Sequence, residues 1–346
     1  MPRASARPTP PAEPAAGRPI DASPRRTRGG VPRLTQGRAL ALALLLLLAA
    51  ATMPAVTWPA RSVDTVVVFD ITQSMNVEDT LVDGAPADRL AFARRAAGAA
   101  LGALPCGSRV GWAVFAEYRT LLLLAPIEVC AHYGDLLATL EAIDGRMRWG
   151  NASEVTKGAF WALRMAKELG APTNVVFVTD GHEAPPLRDA GLPLFDDLKP
   201  GEVHGWILGV GGEDARPIPK TDADGARRGF WRAEDVVHPP GDAVRREHLS
   251  ALHEAHLQSL ARQIGFDYAR LAAPATLAAA MADTRYAARR PVPADVRWLP
   301  LAGALAVLVV AFRPLRKGRD RAQASRRGPL AVPDPSRRTP HQEATS

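Results

Sequence analysis

The stretch TVVVFDITQSM, residues 65–75, is the most informative part of this sequence. It opens with a run of valine and phenylalanine without a polar interruption, which is typical of a strand buried on both faces of a parallel sheet. Parallel sheets bind ligands just beyond the carboxyl ends of their strands. Asp70, Thr72 and Ser74 follow the strand at that position, so we expect them to form a ligand site.

Two later segments can complete this site. WGNASEVTKG, residues 149–158, places Ser153 at the start of a predicted helix, and VVFVTDG, residues 175–181, is a second buried strand that ends in Asp180. Hydroxyl and carboxylate oxygens are hard ligands that suit Mg²⁺, Mn²⁺ or Ca²⁺. The predicted metal-binding residues are therefore Asp70, Thr72, Ser74, Ser153 and Asp180. We expect a divalent ion in this set to remain incompletely neutralised and to accept one further carboxylate from a partner.

Predicted strands alternate with amphipathic helices, one with Asp88 as its N-cap and another that ends at Gly170. This alternation predicts a doubly wound α/β fold, with a mainly parallel sheet and one antiparallel hairpin strand. The segment from Gly211 to Arg246 is rich in Gly, Pro and charge and interrupts the pattern. It is long for a loop, so we expect it to be either functional or mobile.

The two cysteines, Cys106 and Cys130, flank two strand-like runs joined by a short connection near Tyr118. In a hairpin centred there, the cysteines lie opposite each other across the strand pair. A disulfide is the favoured interpretation in an exported domain. Two unpaired thiols fit the same composition.

Two apolar segments flank the predicted domain. Residues 39–57 carry no charge and are about long enough to span a bilayer, whereas residues 298–312 are shorter. Trp58 and Trp298 would lie at the same membrane interface. A cleaved signal peptide is the alternative for the first segment, because TMPAV offers a small-residue cleavage site.

Basic clusters precede the first apolar segment and follow the second, so the positive-inside rule places both tails in the cytoplasm. We expect a two-pass protein of the bacterial inner membrane, with residues 59–297 in the periplasm. The tails, residues 1–38 and 313–346, contain little that could form a core and are expected to be disordered.

The net charge of +7 comes from these tails. Residues 1–38 hold eight Arg against two acidic residues and residues 313–346 hold nine Arg or Lys against three, which leaves −5 for the rest of the chain. The folded part is therefore mildly acidic, which disfavours nucleic-acid binding.

The D-x-T-x-S run with the later Ser153 and the TDG that contains Asp180 resembles the metal-ion-dependent adhesion site of von Willebrand factor type A domains. The usual family pattern is D-x-S-x-S, then a Thr, then an Asp. Asp70, Ser74 and Asp180 match it directly, whereas Thr72 and Ser153 exchange one hydroxyl for another. The resemblance covers roughly residues 62–290 and implies a bound divalent cation, Mg²⁺ or else Mn²⁺ or Ca²⁺.

The flanking apolar segments and the motifs SMNVED and RPIPK narrow this resemblance to the membrane-anchored bacterial group that includes BatA, BatB, MxaC and MxaL. FDITQSMNVED is most similar to the MxaL type. The resemblance implies a domain that is not an enzyme and that captures an acidic group of a protein partner. It also implies partnership with a MoxR-type AAA+ ATPase and help in loading metal into a periplasmic quinoprotein methanol dehydrogenase.

Two alternatives remain open at this point. A haloacid-dehalogenase-like phosphatase also begins with a strand that ends in Asp, but its chemistry needs a second carboxylate where this chain has Thr72. The other alternative is a scaffold with a vestigial metal site. His253 and His256 are expected to be ordinary helix residues, and His182 is expected near the ion. Asp79 shapes the loop over the site or is simply solvated charge.

Overall fold

The computed structural model describes residues 35–54, 56–170, 172–187, 199–238 and 246–313. The predicted tails lie almost entirely outside the described residues. The chain divides into two units, of which one comprises residues 55–295 and the other the segments on either side of it.

In the described part of residues 55–295, the strands are arranged around one large sheet. The strands are β1 (Val56–Ser62), β2 (Asp64–Asp70), β3 (Thr80–Val82), β4 (Ala85–Ala87), β5 (Arg109–Ala116), β6 (Arg119–Glu128), β7 (Thr173–Thr179), β8 (Gly205–Gly209), β9 (Arg216–Pro217), β10 (Pro219–Thr221), β11 (Arg227–Phe230), β12 (Leu249–Ser250), β13 (Asp267–Arg270) and β14 (Ala288–Ala294). The helices are α1 (Gln36–Thr52), α2 (Arg89–Leu101), α3 (Tyr133–Glu141), α4 (Val155–Leu169), α5 (Glu254–Ile264), α6 (Pro274–Met281) and α7 (Trp298–Ala311), of which α1 and α7 belong to the other unit.

The large sheet has the order β13-β8-β7-β2-β5-β6, and every pairing in it is parallel except that of β5 with β6. Strand β2 lies between β5 and β7 and is buried along its whole length. Val67 and Phe69 pack with α2, α3 and α6 on one face, whereas Val66 and Val68 pack with α4 and α5 on the other. The predicted α/β fold, with a mainly parallel sheet and one antiparallel hairpin strand, is confirmed.

The local signals at the ends of two helices are also confirmed. The Asp88 carboxylate accepts a hydrogen bond from the Ala91 amide at 2.7 Å and caps α2. Gly170 ends α4 with a φ of +86°. Helix α4 begins at Val155 and leaves Ser153 outside, because the Ser153 backbone exchanges two hydrogen bonds of 2.7 Å with Ala184.

The borders of the domain differ from the prediction. β1 pairs antiparallel with β14, which extends the folded unit beyond residues 62–290 on both sides. Trp58 therefore lies in a strand and does not flank a helix, since the chain leaves α1 at Thr52 and joins β14 soon afterwards. In the described residues we find no helix that combines the length and the apolarity needed to cross a membrane.

The segment from Gly211 to Arg246, expected to be functional or mobile, contains regular secondary structure within its described residues, 211–238. β10 and β11 form an antiparallel hairpin, and β9 pairs with β12 beside it. Its short strands carry prolines and exposed charges, which explains why the sequence pattern does not indicate them.

The predicted disulfide is confirmed. β5 and β6 form the expected hairpin with Arg109 opposite Glu128, and Cys106 and Cys130 are bonded just beyond that pair, with their Cα atoms 5.3 Å apart. The bridge ties the open end of the hairpin.

We expect the double variant Cys106→Ser/Cys130→Ser to lower the free energy of unfolding by about 3 kcal/mol, because the bridge closes a loop with a sequence separation of 24 residues. Urea unfolding with and without a reductant measures this. The reductant should destabilise the wild-type chain by a similar amount and leave the variant unchanged. An equal effect of the reductant on both proteins would contradict the prediction.

Candidate metal site

The Asp70 carboxylate organises the loop that follows β2. Its Oδ1 accepts hydrogen bonds from the Thr72 amide at 2.9 Å and the Thr72 hydroxyl at 2.6 Å, and its Oδ2 accepts one from the Thr179 hydroxyl at 2.6 Å. The side chain is fully buried. Asp70 thus joins the carboxyl ends of β2 and β7 and fixes the direction of the Thr72 hydroxyl.

The three predicted hydroxyl ligands line one pocket of about 230 Å³. The Thr72 and Ser74 hydroxyls lie 3.3 Å apart. The Ser153 hydroxyl is buried and, among the described residues, has no hydrogen-bond partner. A buried hydroxyl without a partner is costly unless a ligand satisfies it, so Ser153 is suited to coordinate an ion.

The second carboxylate, Asp180, is fully buried at the end of β7. Its Oδ1 accepts a hydrogen bond from the His182 amide at 3.0 Å, and its Oδ2 accepts one from the Ser250 hydroxyl at 2.9 Å. Gly181 makes the turn between them with a φ of +78°, where a Cβ would lie 2.8 Å from Leu257 Cγ. Backbone conformation and packing thus both require the glycine of TDG.

A buried arginine also holds Asp180. Arg89 Nη1 lies 2.5 Å from Asp180 Oδ2, and Arg89 Nη2 lies 2.6 Å from Asp79 Oδ2. The Asp79 carboxylate also accepts a hydrogen bond from the Gly212 amide at 2.8 Å, so it is not solvated charge but a buried link to the later segment. The guanidinium occupies one oxygen of Asp180, so this carboxylate cannot give its whole charge to an ion.

The pKa values of the two neighbouring buried carboxylates are shifted in opposite directions. Desolvation and the charge of Asp180 raise the pKa of Asp70 to about 7. Desolvation also opposes the ionisation of Asp180, but the Arg89 guanidinium outweighs it and holds the pKa of that carboxyl below its usual value. Arg89 does not remove the repulsion between the Asp70 and Asp180 carboxylates, and a cation beside Asp70 would relieve it.

All five predicted ligands thus come together at the carboxyl ends of β2 and β7 and in the loop before α4. Three hydroxyls line the pocket, and two buried carboxylates lie beside them, of which Asp70 already orients one hydroxyl. This donor set suits a hard divalent cation. Occupancy of the site by Mg²⁺, Mn²⁺ or Ca²⁺ stays a prediction.

The histidines do not add a second metal site in the described residues. His182 lines the pocket, as expected, and its ring lies 5.5 Å from that of His253. His256 Nε2 contacts Glu183 Oε1 at 3.1 Å, and the same carboxylate oxygen accepts the Thr156 hydroxyl at 2.7 Å. Burial lowers the pKa of His182, which favours its neutral form.

Sequence reasoning missed Arg89 and Thr179. Arg89 directly follows the N-cap of α2, where it reads as an ordinary exposed residue, and its partner Asp180 is 91 positions away. Thr179 is the last residue of β7, and its hydroxyl points to the site only because β7 pairs with β2.

Comparison with known proteins returns solved structures only. No family model and no curated protein matches the chain. The chain is similar to BatB from Bacteroides thetaiotaomicron, at 19% identity and a TM-score of 0.45 over 65% of this chain and 97% of that one. It is similar to an aerotolerance-related membrane protein from Bacteroides fragilis, at 20% identity and a TM-score of 0.43 over 64% of this chain and 96% of that one. A third similar structure is the ArnB paralog VWA2 from Sulfolobus acidocaldarius, at 15% identity and a TM-score of 0.37 over 65% of this chain and 46% of that one.

We expect Arg89→Met to lower the free energy of unfolding by about 3–5 kcal/mol, because it leaves two buried carboxylates without their cation. Arg95→Met, on the same helix, is the matched control. Arg95 pairs with Asp83 where the two side chains are 61% and 73% exposed, so its loss should cost less than about 1 kcal/mol. Urea unfolding measures both, and similar losses for the two variants would contradict a structural role of Arg89.

The raised pKa of Asp70 predicts a pH dependence of definite sign. Between the unfolded value of 3.8 and the folded value of about 7, the folded chain keeps a proton that the unfolded chain has lost, so the contribution of Asp70 to stability falls as pH rises through this window. A bound cation favours the ionised carboxylate. Mg²⁺ should therefore raise Tm more at about pH 8 than at about pH 5.5.

Thermal unfolding with Mg²⁺ or with EDTA at both pH values tests this. Asp70→Asn should abolish the Mg²⁺-dependent difference, whereas Asp83→Asn, at an exposed turn, should keep it. A Tm increase of equal size at both pH values would count against Asp70 as the titrating group.

Proposed function

We propose that the domain of residues 55–295 binds a divalent cation, Mg²⁺ first among the candidates, and uses it to capture an acidic side chain of a protein partner. The observation that carries this proposal is the buried Ser153 hydroxyl, which lines the same pocket as Thr72 and Ser74 and has no hydrogen-bond partner in the described part of the chain. Protein oxygens would coordinate the ion on one side. Its remaining coordination position would face the pocket and be open to a ligand.

The charge distribution supports a further carboxylate from outside. Arg89 takes one oxygen of Asp180, and Asp70 directs its oxygens to Thr72 and Thr179. Because the protein carboxylates are engaged in this way, a bound ion would retain positive charge at its open position. A carboxylate is the hard anionic ligand that best compensates that charge.

The environment of Asp70 supports a binding role in preference to the phosphatase alternative. A phosphatase nucleophile needs an accessible carboxylate oxygen, whereas Asp70 is fully buried and both its oxygens accept hydrogen bonds. Thr72, two residues later, cannot serve as a general acid at neutral pH. We therefore propose that the domain is an interaction module and not an enzyme.

We also propose that the chain is associated with a membrane. α1 exposes several of its leucines, and α7 is apolar along most of its length. Exposed apolar surface of this kind is typical of membrane or protein contacts. One similar structure is that of a protein named as an aerotolerance-related membrane protein, which is in keeping with this proposal. We propose further that the chain crosses the membrane twice and that the domain of residues 55–295 lies in the periplasm.

An accessory role in assembly is the biological setting that we propose for this capture. The resemblance to the BatA, BatB, MxaC and MxaL group suggests a MoxR-type ATPase and a periplasmic quinoprotein methanol dehydrogenase as partners. The metal and its acidic ligand would provide a reversible attachment that chelation breaks.

Calorimetric titration of the full-length chain with Mg²⁺, Mn²⁺ and Ca²⁺ tests the metal site. We expect Ser153→Ala to weaken Mg²⁺ binding by at least about tenfold, because it removes one ligand and no protein hydrogen bond. Ser62→Ala is the matched control, since the Ser62 hydroxyl is also buried without a partner among the described residues but lies in β1. It should bind Mg²⁺ like the wild type.

Absence of binding by the wild-type chain would contradict the proposal and favour a scaffold with a vestigial site. Equal binding by Ser153→Ala and Ser62→Ala would place the ion elsewhere.

A further inference from the structure

We propose that the captured group is an acidic side chain with an apolar neighbour, which enters a pocket built jointly by the metal loop, residues 71–76, and by residues that flank the β10–β11 hairpin. The inference rests on the proposed metal site. It adds the chemical character of the part of the ligand that lies beyond its carboxylate. The carboxylate would reach the ion, and the apolar part would lie against the wall of the pocket that the later segment supplies.

The pocket has two kinds of wall. On one side are the hydroxyls of Thr72, Ser74 and Ser153. On the other side, the later segment contributes two acidic lining residues and four apolar ones, which are Ile218, Trp231, Val236 and Val237. A pocket of about 230 Å³ with this division suits a ligand with a charged end and a short aliphatic or aromatic body.

Hydrogen bonds hold the apolar wall in a fixed position relative to the metal loop. Gln73 lies between two of the hydroxyl ligands in sequence, and its Nε2 donates to the Thr221 carbonyl at 2.9 Å. Its Oε1 accepts the Thr221 amide at 3.1 Å and the Thr221 hydroxyl at 3.2 Å. The residue next to Thr72 thus anchors β10, so the pocket is preformed and a ligand need not order its wall.

Trp231 provides a second, independent indication of a ligand. Its amide donates to the Ile218 carbonyl at 3.0 Å, and Lys220 Nζ lies 4.4 Å from its ring centroid, so the ring is held in place. Its indole Nε1 is nevertheless buried without a hydrogen-bond partner among the described residues. A buried indole N–H usually finds an acceptor, which a backbone carbonyl of a bound peptide segment would supply.

The charges that line the pocket restrict the ligand further. Asp235 and Glu247 also line it, and both carry a carboxyl group. A second negative charge in the ligand would be repelled by Asp235. The preferred ligand therefore has one carboxylate and an apolar continuation, which corresponds to an Asp or Glu next to a Leu, Ile, Val or Phe in a protein partner.

A series of straight-chain carboxylates tests this inference on the full-length, Mg²⁺-saturated chain. Acetate, butyrate and hexanoate should bind with increasing affinity in ligand-observed NMR titrations, by up to about fourfold for each methylene that becomes fully buried. Succinate should bind more weakly than butyrate. EDTA should abolish the binding of all four compounds.

Variants in the wall separate pocket binding from metal binding. Trp231→Ala and the milder Val236→Thr should reduce the gain from acetate to hexanoate and leave Mg²⁺ affinity unchanged. Trp161→Ala is the control, because Trp161 lies on α4 outside this pocket and stacks with Arg119 at 4.5 Å.

Equal affinities for the three monocarboxylates would overturn the inference. So would a gain in affinity from acetate to hexanoate that is unchanged in both wall variants. Metal-dependent acetate binding would in that case still support the proposed function. Tighter binding of succinate than of butyrate would also overturn it. If Mg²⁺ binds but none of the carboxylates does, carboxylate capture itself fails.

Discussion

Two carboxylates buried at the ends of adjacent parallel strands are the constraint on which the site depends. Asp70 and Asp180 are both fully buried, and the charge of one raises the pKa of the other. Charges in such a place require partners, because desolvation disfavours them and their mutual repulsion adds to the penalty. Arg89 supplies one partner for Asp180, and hydroxyl donors surround Asp70.

This arrangement connects parts of the chain that lie far apart in sequence. Arg89 on α2 links Asp180 after β7 to Asp79 in the loop after β2, and Asp79 accepts the Gly212 amide. Gln73 makes a second link, between the metal loop and Thr221. The segment that interrupts the α/β pattern is therefore attached at two points to the residues that form the site.

The sequence predicts the parts of this structure that follow from local patterns. The apolar runs before Asp70 and Asp180 indicate parallel strands, and the ends of such strands meet, so the convergence of the two carboxylates follows from the pattern. Asp88 and Gly170 mark helix ends through capping chemistry. The disulfide follows from the symmetry of Cys106 and Cys130 about the hairpin turn.

The remaining features depend on tertiary contacts that no local pattern carries. β1 contains a proline and an arginine and pairs with β14, which lies more than 200 residues away, so no local pattern indicates this strand. The predicted membrane span, residues 39–57, overlaps its first two residues. The role of Arg89 requires knowledge of where α2 packs. The β10–β11 hairpin has few apolar residues, and its position depends on Gln73 and Thr221.

The most direct test of the account is a crystal structure of the full-length chain grown with Mn²⁺, with anomalous scattering measured to locate the ion. We predict one strong peak within coordination distance of the Thr72, Ser74 and Ser153 hydroxyls, with Arg89 still paired to Asp180. A pocket without an anomalous peak in crystals that contain Mn²⁺, or a Ser153 hydroxyl that forms a protein hydrogen bond in its place, would contradict it.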